Sequence, residues 1–267
     1  MIAPAPPTPG TPMPVLFVGH GSPMNAIQDT PWAQGFAALA EDIPTPSAIL
    51  AVSAHWYLDG TFLTGNTTPR TIHDFGGFPE ALYQVRYPAP GDPELAGRVR
   101  NLLGAERAAL RDDWGLDHGT WSVLLRMYPQ ARIPVVQLSI HQRLAPRGHA
   151  ALGRALAPLR DEGVLIFASG NVTHNLQDAF RRARGPLETP DWARRFDDRV
   201  TQAARDRDLD RLIALGNSDD GRLAHPTPDH FLPMVYAFAA AHPDDPVTFP
   251  IQGFELGSLS MRAIRFG

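Results

Sequence analysis

Ten histidines occur in a chain of 267 residues that contains no cysteine, and they are unevenly placed. His20 follows the apolar run Val15 to Val18, His55 follows Ala48 to Ser53, and His174 comes shortly after Val164 to Ala168. Short runs of this kind, rich in Val, Ile and Leu with little polar alternation, read as strands covered on both faces. In open α/β sheets, ligands bind beyond the carboxyl ends of the strands. One parallel sheet would therefore bring these three imidazoles to a shared site. A single strand-end histidine is well explained by a bond to a backbone carbonyl; three together point to chemistry.

The local contexts agree. Gly19 and Gly21 flank His20, so no bulky neighbour blocks a metal or substrate. His55 stands beside Trp56, and His174 lies in the small polar turn Ser169 to Asn175. In His225-Pro226-Thr227-Pro228-Asp229-His230 two prolines stiffen the backbone, so a ligand there has little entropy to lose, and both histidines are within reach of one site. His118, in Asp117-His118-Gly119-Thr120, precedes an expected helix, whereas His141, His149 and His242 sit among polar or arginine-bearing residues and are assigned to the surface.

The absence of cysteine removes disulfides, thiolate zinc sites, iron–sulfur clusters and thiol nucleophiles. All 24 basic residues are arginine, so Schiff-base chemistry and a phosphate-cradling lysine are excluded too. A set of imidazoles selects zinc, iron, copper or nickel, while calcium or magnesium would need several carboxylates. Here the carboxylates are scattered, and the pairs Asp197-Asp198 and Asp219-Asp220 read as solvated faces. One nitrogen-rich mononuclear site is expected. The net charge of -4 gives no reason to expect nucleic acid.

To position those histidines, the expected fold is α/β: a single domain with a central, mostly parallel sheet flanked by helices. Ile133 to Ile140 supplies a further strand, and helices are expected near Trp32 to Glu41, Pro93 to Leu103, Trp121 to Tyr128, Arg147 to Asp161, Trp192 to Arg205 and Asp229 to Ala241. Pro233 falls inside the last and should kink it. Pro246 to Phe266 reads as one or two further strands at a sheet edge. Residues 1–14 read as a flexible proline-rich tail, neither secretion signal nor membrane anchor, with residues 15–267 as the catalytic domain. No apolar stretch is long enough to span a bilayer, and a cytoplasmic location is expected. The long segment Asn66 to Pro90, with its core His73-Asp74-Phe75-Gly76-Gly77-Phe78-Pro79, is placed to line or cover a pocket.

Taken together, GHGSPMN from Gly19, SAHW from Ser53, TIHDFGGFP from Thr71, DHGTW from Asp117, SGNVTHNL from Ser169, HPTPDHF from His225 and GSLSM from Gly257 resemble the class III extradiol dioxygenases, in particular the DOPA 4,5-dioxygenase-like branch. The resemblance follows family order over nearly the whole chain after the tail. It implies that His20, His55 and His230 bind one divalent metal, Fe(II) for activity with Zn(II) able to occupy the site. It implies that His174 is the acid–base histidine, close enough for an additional metal contact, and that His118 is a second catalytic histidine touching substrate. Substrate-side roles fall to His225, Ser22 and His73. The wider class commonly uses two histidines and a glutamate; His230 stands where that carboxylate is expected, as in the DOPA-type branch.

The implied reaction opens a catechol ring beside the diol with O2, giving a semialdehyde. A zinc hydrolase using the same three histidines is the alternative, because such a site lowers the pKa of bound water to about 7. A binding protein that keeps the fold without turnover is the third reading.

Overall fold

A computed structural model describes residues 11–185 and 188–267. Its sheet is built from β1 (Val15–Gly19), β2 (Ala48–Leu58), β3 (Thr61–Thr64), β4 (Ala108–Arg111), β5 (Val135–His141), β6 (Val164–Gly170), β7 (Val247–Thr248) and β10 (Ala263–Phe266), with β8 (Phe254–Glu255) and β9 (Leu259–Ser260) forming a separate hairpin. The order across the sheet is β4-β3-β5-β2-β6-β1-β10-β7. Its centre, β5-β2-β6-β1, is parallel throughout; β3 joins β5 antiparallel, and β10 and β7 extend the other side antiparallel. The mostly parallel sheet inferred from the apolar runs is present.

Those runs lack polar alternation because both faces are covered. Val15 and Phe17, with Leu50 and Val52, face a core formed with the helices Pro93–Leu103, Pro146–Leu156, Asp191–Arg205 and Leu232–Ala240. Leu16 and Val18, with Ile49 and Ala51, face the opposite core, built on Pro31–Leu39 and His118–Met127. Period-two side-chain direction thus sends successive apolar residues to two cores.

Several expectations need correction. The tail expected over residues 1–14 falls outside the described residues up to residue 10, but Met13 is buried and exchanges hydrogen bonds with Arg160. The Asp229 helix is broken in two: a 3-10 turn, Pro228–His230, then Leu232–Ala240, with Pro233 in the first turn where its missing N–H costs nothing. Asp197 and Asp220 are buried, not solvated: Asp197 receives the buried Arg262 guanidinium, and Asp220 pairs with Arg195 at 2.8 Å. His149 is not a surface residue either, being fully buried with its Nδ1 3.0 Å from the Tyr236 hydroxyl. Of the strands expected in Pro246 to Phe266, β7 does form a sheet edge, while β10 lies inside the sheet between β1 and β7. No helix among the described residues is long and apolar enough to cross a membrane.

Burial also makes a prediction about acid. It pushes His149 and His225 down to about 4, in His225 against the hydrogen bond its ring makes to the Val172 carbonyl. A depressed folded-state pKa means that the unfolded chain takes up protons first as pH falls below about 6.5, each proton tilting the balance by up to about 1.4 kcal/mol per pH unit until the folded value is reached. Thermal melts of the metal-free protein are expected to fall steeply from pH 6.5 to 4, before ordinary carboxylates titrate, and replacing His149 with Phe should flatten the fall.

Candidate metal centre

Three elements deliver His20, His55 and His230 to one point above the sheet. His20 follows β1 directly, its N–H donating to the Gly170 carbonyl at 3.0 Å. His55 does not follow β2, as expected, but lies within it, where the register against β5 shifts between Val52 and Tyr57. Such an irregularity re-aims side chains. His230 ends the 3-10 turn, and its carbonyl accepts from Asn171 N–H at 3.1 Å. Gly170 permits this approach, because a Cβ there would collide with the His230 carbonyl oxygen.

The ring centroids form a near-equilateral triangle, 5.0 Å for His20 to His55, 5.2 Å for His20 to His230 and 5.0 Å for His55 to His230. Their outer nitrogens are all engaged. Ser169 donates its hydroxyl to the Gly119 carbonyl at 2.5 Å, so its lone pair must accept from His20 Nδ1–H at 2.9 Å. His55 Nδ1 meets Asp74 Oδ2 at 3.0 Å, and His230 Nδ1 meets Asp229 Oδ2 at 2.5 Å. Each Nδ1 therefore carries the proton, and each Nε2 presents a lone pair inward.

That tautomer decides how the centre must be read. His20 Nε2 and His55 Nε2 stand 3.1 Å apart, and in the neutral rings that the outer bonds select neither carries a proton, so two lone pairs face each other. The His230 Nε2 is buried without any partner. A cation resolves both problems: nitrogens on one ion with bonds of ~2.1 Å lie ~3.4 Å apart in tetrahedral geometry. The donor atoms of the three residues already lie within 4.8 Å of one another. Burial, then the crowding of neighbouring imidazoles, drives His20 and His230 well below the usual histidine range, so no proton competes for these lone pairs at neutral pH. His55 moves the other way, its burial outweighed by the Asp74 hydrogen bond and by the charges of Asp117 and Asp74.

Two more histidines complete the inner wall. His118 is the first residue of its helix, which Asp117 caps at Thr120 N–H. Its Nδ1 lies 3.0 Å from Asp74 Oδ1, and its ring is 3.8 Å from that of His55. Asp74 thus bridges two imidazoles with its two oxygens, and these bonds, against the opposing effect of burial, hold its carboxyl well below the usual range. His174 stacks flat on His230 at 3.4 Å with 4° between planes, and burial lowers it to about 3.

These residues line a cavity of about 720 Å³, to which the 66–90 loop contributes Asp74, Phe75 and Phe78, as expected of that segment. Ser22 lies on its wall. His225 and His73, expected on the substrate side, do not line it. The His225 ring is buried between Phe196 and Phe231, its Nε2 donating to the Val172 carbonyl at 2.8 Å. His73 donates to the Val85 carbonyl at 3.1 Å and packs between Phe75 and Trp121, holding the loop in shape.

Comparison with known proteins accords with this geometry. Residues 13–261 match the family described as the catalytic LigB subunit of aromatic ring-opening dioxygenase. The chain belongs to the LigB family. Its LigB-family relatives include proteins named 4,5-DOPA dioxygenase extradiol from Escherichia coli K12, 44% identical over 96% of both chains, and from Beta vulgaris, 38% identical over 94% of this chain and 95% of the other. A crystal structure of an uncharacterized Escherichia coli K12 protein superposes with a TM-score of 0.83 at 39% identity, covering 96% of this chain and all of the other. As a LigB-family member this protein is an extradiol dioxygenase, and the hydrolase alternative is not favoured.

Asp74 and Asp229 were not singled out as site residues, because carboxylates adjacent to histidines in sequence carry no signal until the rings turn towards them. Asp74→Asn offers one acceptor oxygen where two rings need one each, so metal affinity is expected to fall ~10–100-fold, as when other outer partners of metal-bound histidines are lost. A competitive chelator titration reads this directly.

Proposed function

We propose that His20, His55 and His230 hold one divalent metal, with ferrous iron as the working ion and zinc able to occupy the site, and that the enzyme opens a catechol ring beside its diol. The reading rests on one observation above all: three lone pairs, each fixed by an outer hydrogen bond, converge in a cavity with no protein proton to receive them. The names of the relatives support DOPA or a related catechol as substrate.

When bound, the metal supplies a centre at which catechol and dioxygen meet. The chain's own groups handle protons and water. His118, with Nδ1–H anchored on Asp74, keeps Nε2 to accept a proton from a catechol hydroxyl, and the carboxylate stabilises the imidazolium that forms. His174, neutral and lining the cavity, is the second proton carrier, returning a proton as the ring opens. Phe75 and Phe78 of the loop cover the inner wall and keep water from it.

Anaerobic loading with ferrous iron, then addition of catechol and air, should consume oxygen and give a yellow semialdehyde. A product cut between the two hydroxyls, or turnover with zinc in the absence of oxygen, would overturn the reading.

A further inference from the structure

We infer that Asp117 is a positioning residue whose buried negative charge is the counter-charge of the metal, set behind the ligand His55; the inference rests on the three-histidine metal reading above. Its hydrogen bonds establish that this carboxylate is an anion. Gln137 Oε1 accepts from Asp117 N–H at 3.3 Å and from the Thr120 hydroxyl at 3.0 Å, which fixes the amide so that its Nε2 donates to Asp117 Oδ2. Ser53 Oγ accepts from His55 N–H at 3.3 Å and gives its own proton to Asp117 Oδ1 at 2.6 Å. Thr120 N–H donates to the same oxygen at 3.2 Å. Every partner of the carboxylate donates and none accepts, so it has no place for a proton.

Such an anion needs a cation, and the chain supplies no permanent one. Asp117 is fully buried, the chain has no lysine, and no arginine acts on this carboxylate. Buried charges are ordinarily paired, because a few neutral donors do not replace water around a full charge. The one group beside it able to turn positive is His55, the ring expected to hold the metal. Capping does not account for the charge. A helix end carries only about half a unit charge, and Ser22, Thr30, Asn175 and Ser218 cap their helices with neutral oxygens. The other capping aspartates, Asp92 and Asp208, are half-buried and reach water, and Asp74 and Asp229 at the centre are 18% exposed. Of these carboxylates only Asp117 is sealed from solvent.

Gly119 shows how near the charge lies to the histidine triangle. A Cβ placed on it would stand 2.9 Å from His55 Cδ2 and 3.4 Å from Asp117 Oδ1, so ring and carboxylate are parted by the width of one glycine. Cδ2 is bonded to Nε2, the atom that turns its lone pair inward. The carbonyl of the same Gly119 accepts from Ser169, the partner of His20. The start of this helix therefore backs two of the three expected ligands. In the dry interior the attraction between Asp117 and a dication is weakly screened. Three neutral imidazoles bring no charge to a divalent ion; Asp117 brings one from behind them.

The test is Asp117→Asn, read without turnover by competitive chelator titration with ferrous and zinc ions and by the reduction potential of the bound iron. Affinity for both ions should fall ~10–100-fold, as when other groups behind a ligand are lost. The potential should rise, because a nearby anion favours ferric over ferrous iron. Asp117→Asn combined with Gln137→Glu returns a carboxylate and reverses the donor between the two side chains, so it should recover most of the affinity and lower the potential again. Asp117→Ser keeps a cap for Thr120 N–H without the charge, and it carries the same expectations should the asparagine variant not fold. Wild-type affinity in the uncharged variants, or weaker binding with the potential unmoved, assigns Asp117 to the helix cap and overturns the inference. A wild type that binds neither ion overturns the three-histidine reading instead.

Discussion

His174→Ala is expected to retain its metal while turnover falls ~10²–10⁴-fold, the usual worth of a positioned proton carrier. The stack explains why the two quantities separate. His174 lies flat against His230, 3.4 Å away, so its ring covers the face of an expected ligand without replacing any Nε2 in the triangle. Removing it leaves Ser169, Asp74 and Asp229 in place on the three Nδ1 atoms. His174→Phe sharpens the test, because it keeps the stack and deletes only the nitrogens: a comparable loss of rate assigns the effect to proton transfer, while restored turnover assigns it to packing. Metal content, measured after dialysis, should match wild type in both variants.

What the sequence disclosed and what it hid follow from the range of each interaction. Apolar runs without alternation announced the parallel strands, because burial on two faces is written into consecutive residues such as Val15 to Val18. The histidines after β1 and β6 were legible for the same reason. The placing of His55 was not, since a register shift inside β2 depends on how β5 pairs with it. Nor was the reason for the glycines around His20: they serve close backbone packing more than ligand access, Gly19 lying 2.6 Å (as a Cβ would) from the Ser260 carbonyl and Gly21 adopting φ of 58°. Roles for His73 and His225 were read from their neighbourhood in sequence, but each ring spends a nitrogen on a backbone carbonyl that only the fold brings near. Carboxylates misled in both directions. Asp197 and Asp220 turn inward to arginines far along the chain, and Asp74 reaches two histidines on other elements.

His20→Ala should do what His174→Ala does not: abolish metal retention and oxygen uptake together, beyond the ~10–100-fold cost of losing an outer partner. His20 contributes one of the two lone pairs that face each other at 3.1 Å, so its loss removes a donor from the triangle and also the electrostatic crowding that a cation relieves. Two consequences can be read without any turnover. Ferrous or zinc ion at 100 times its dissociation constant should stabilise the wild-type fold by ~2.7 kcal/mol and raise its melting temperature, whereas His20→Ala should melt at the same temperature with and without metal. Ser169→Ala keeps the nitrogen but frees the ring to turn, so its affinity should fall between the two. If His20→Ala and His174→Ala lost metal equally, the triangle would not be the binding unit, and the division between ligand and proton carrier would be wrong.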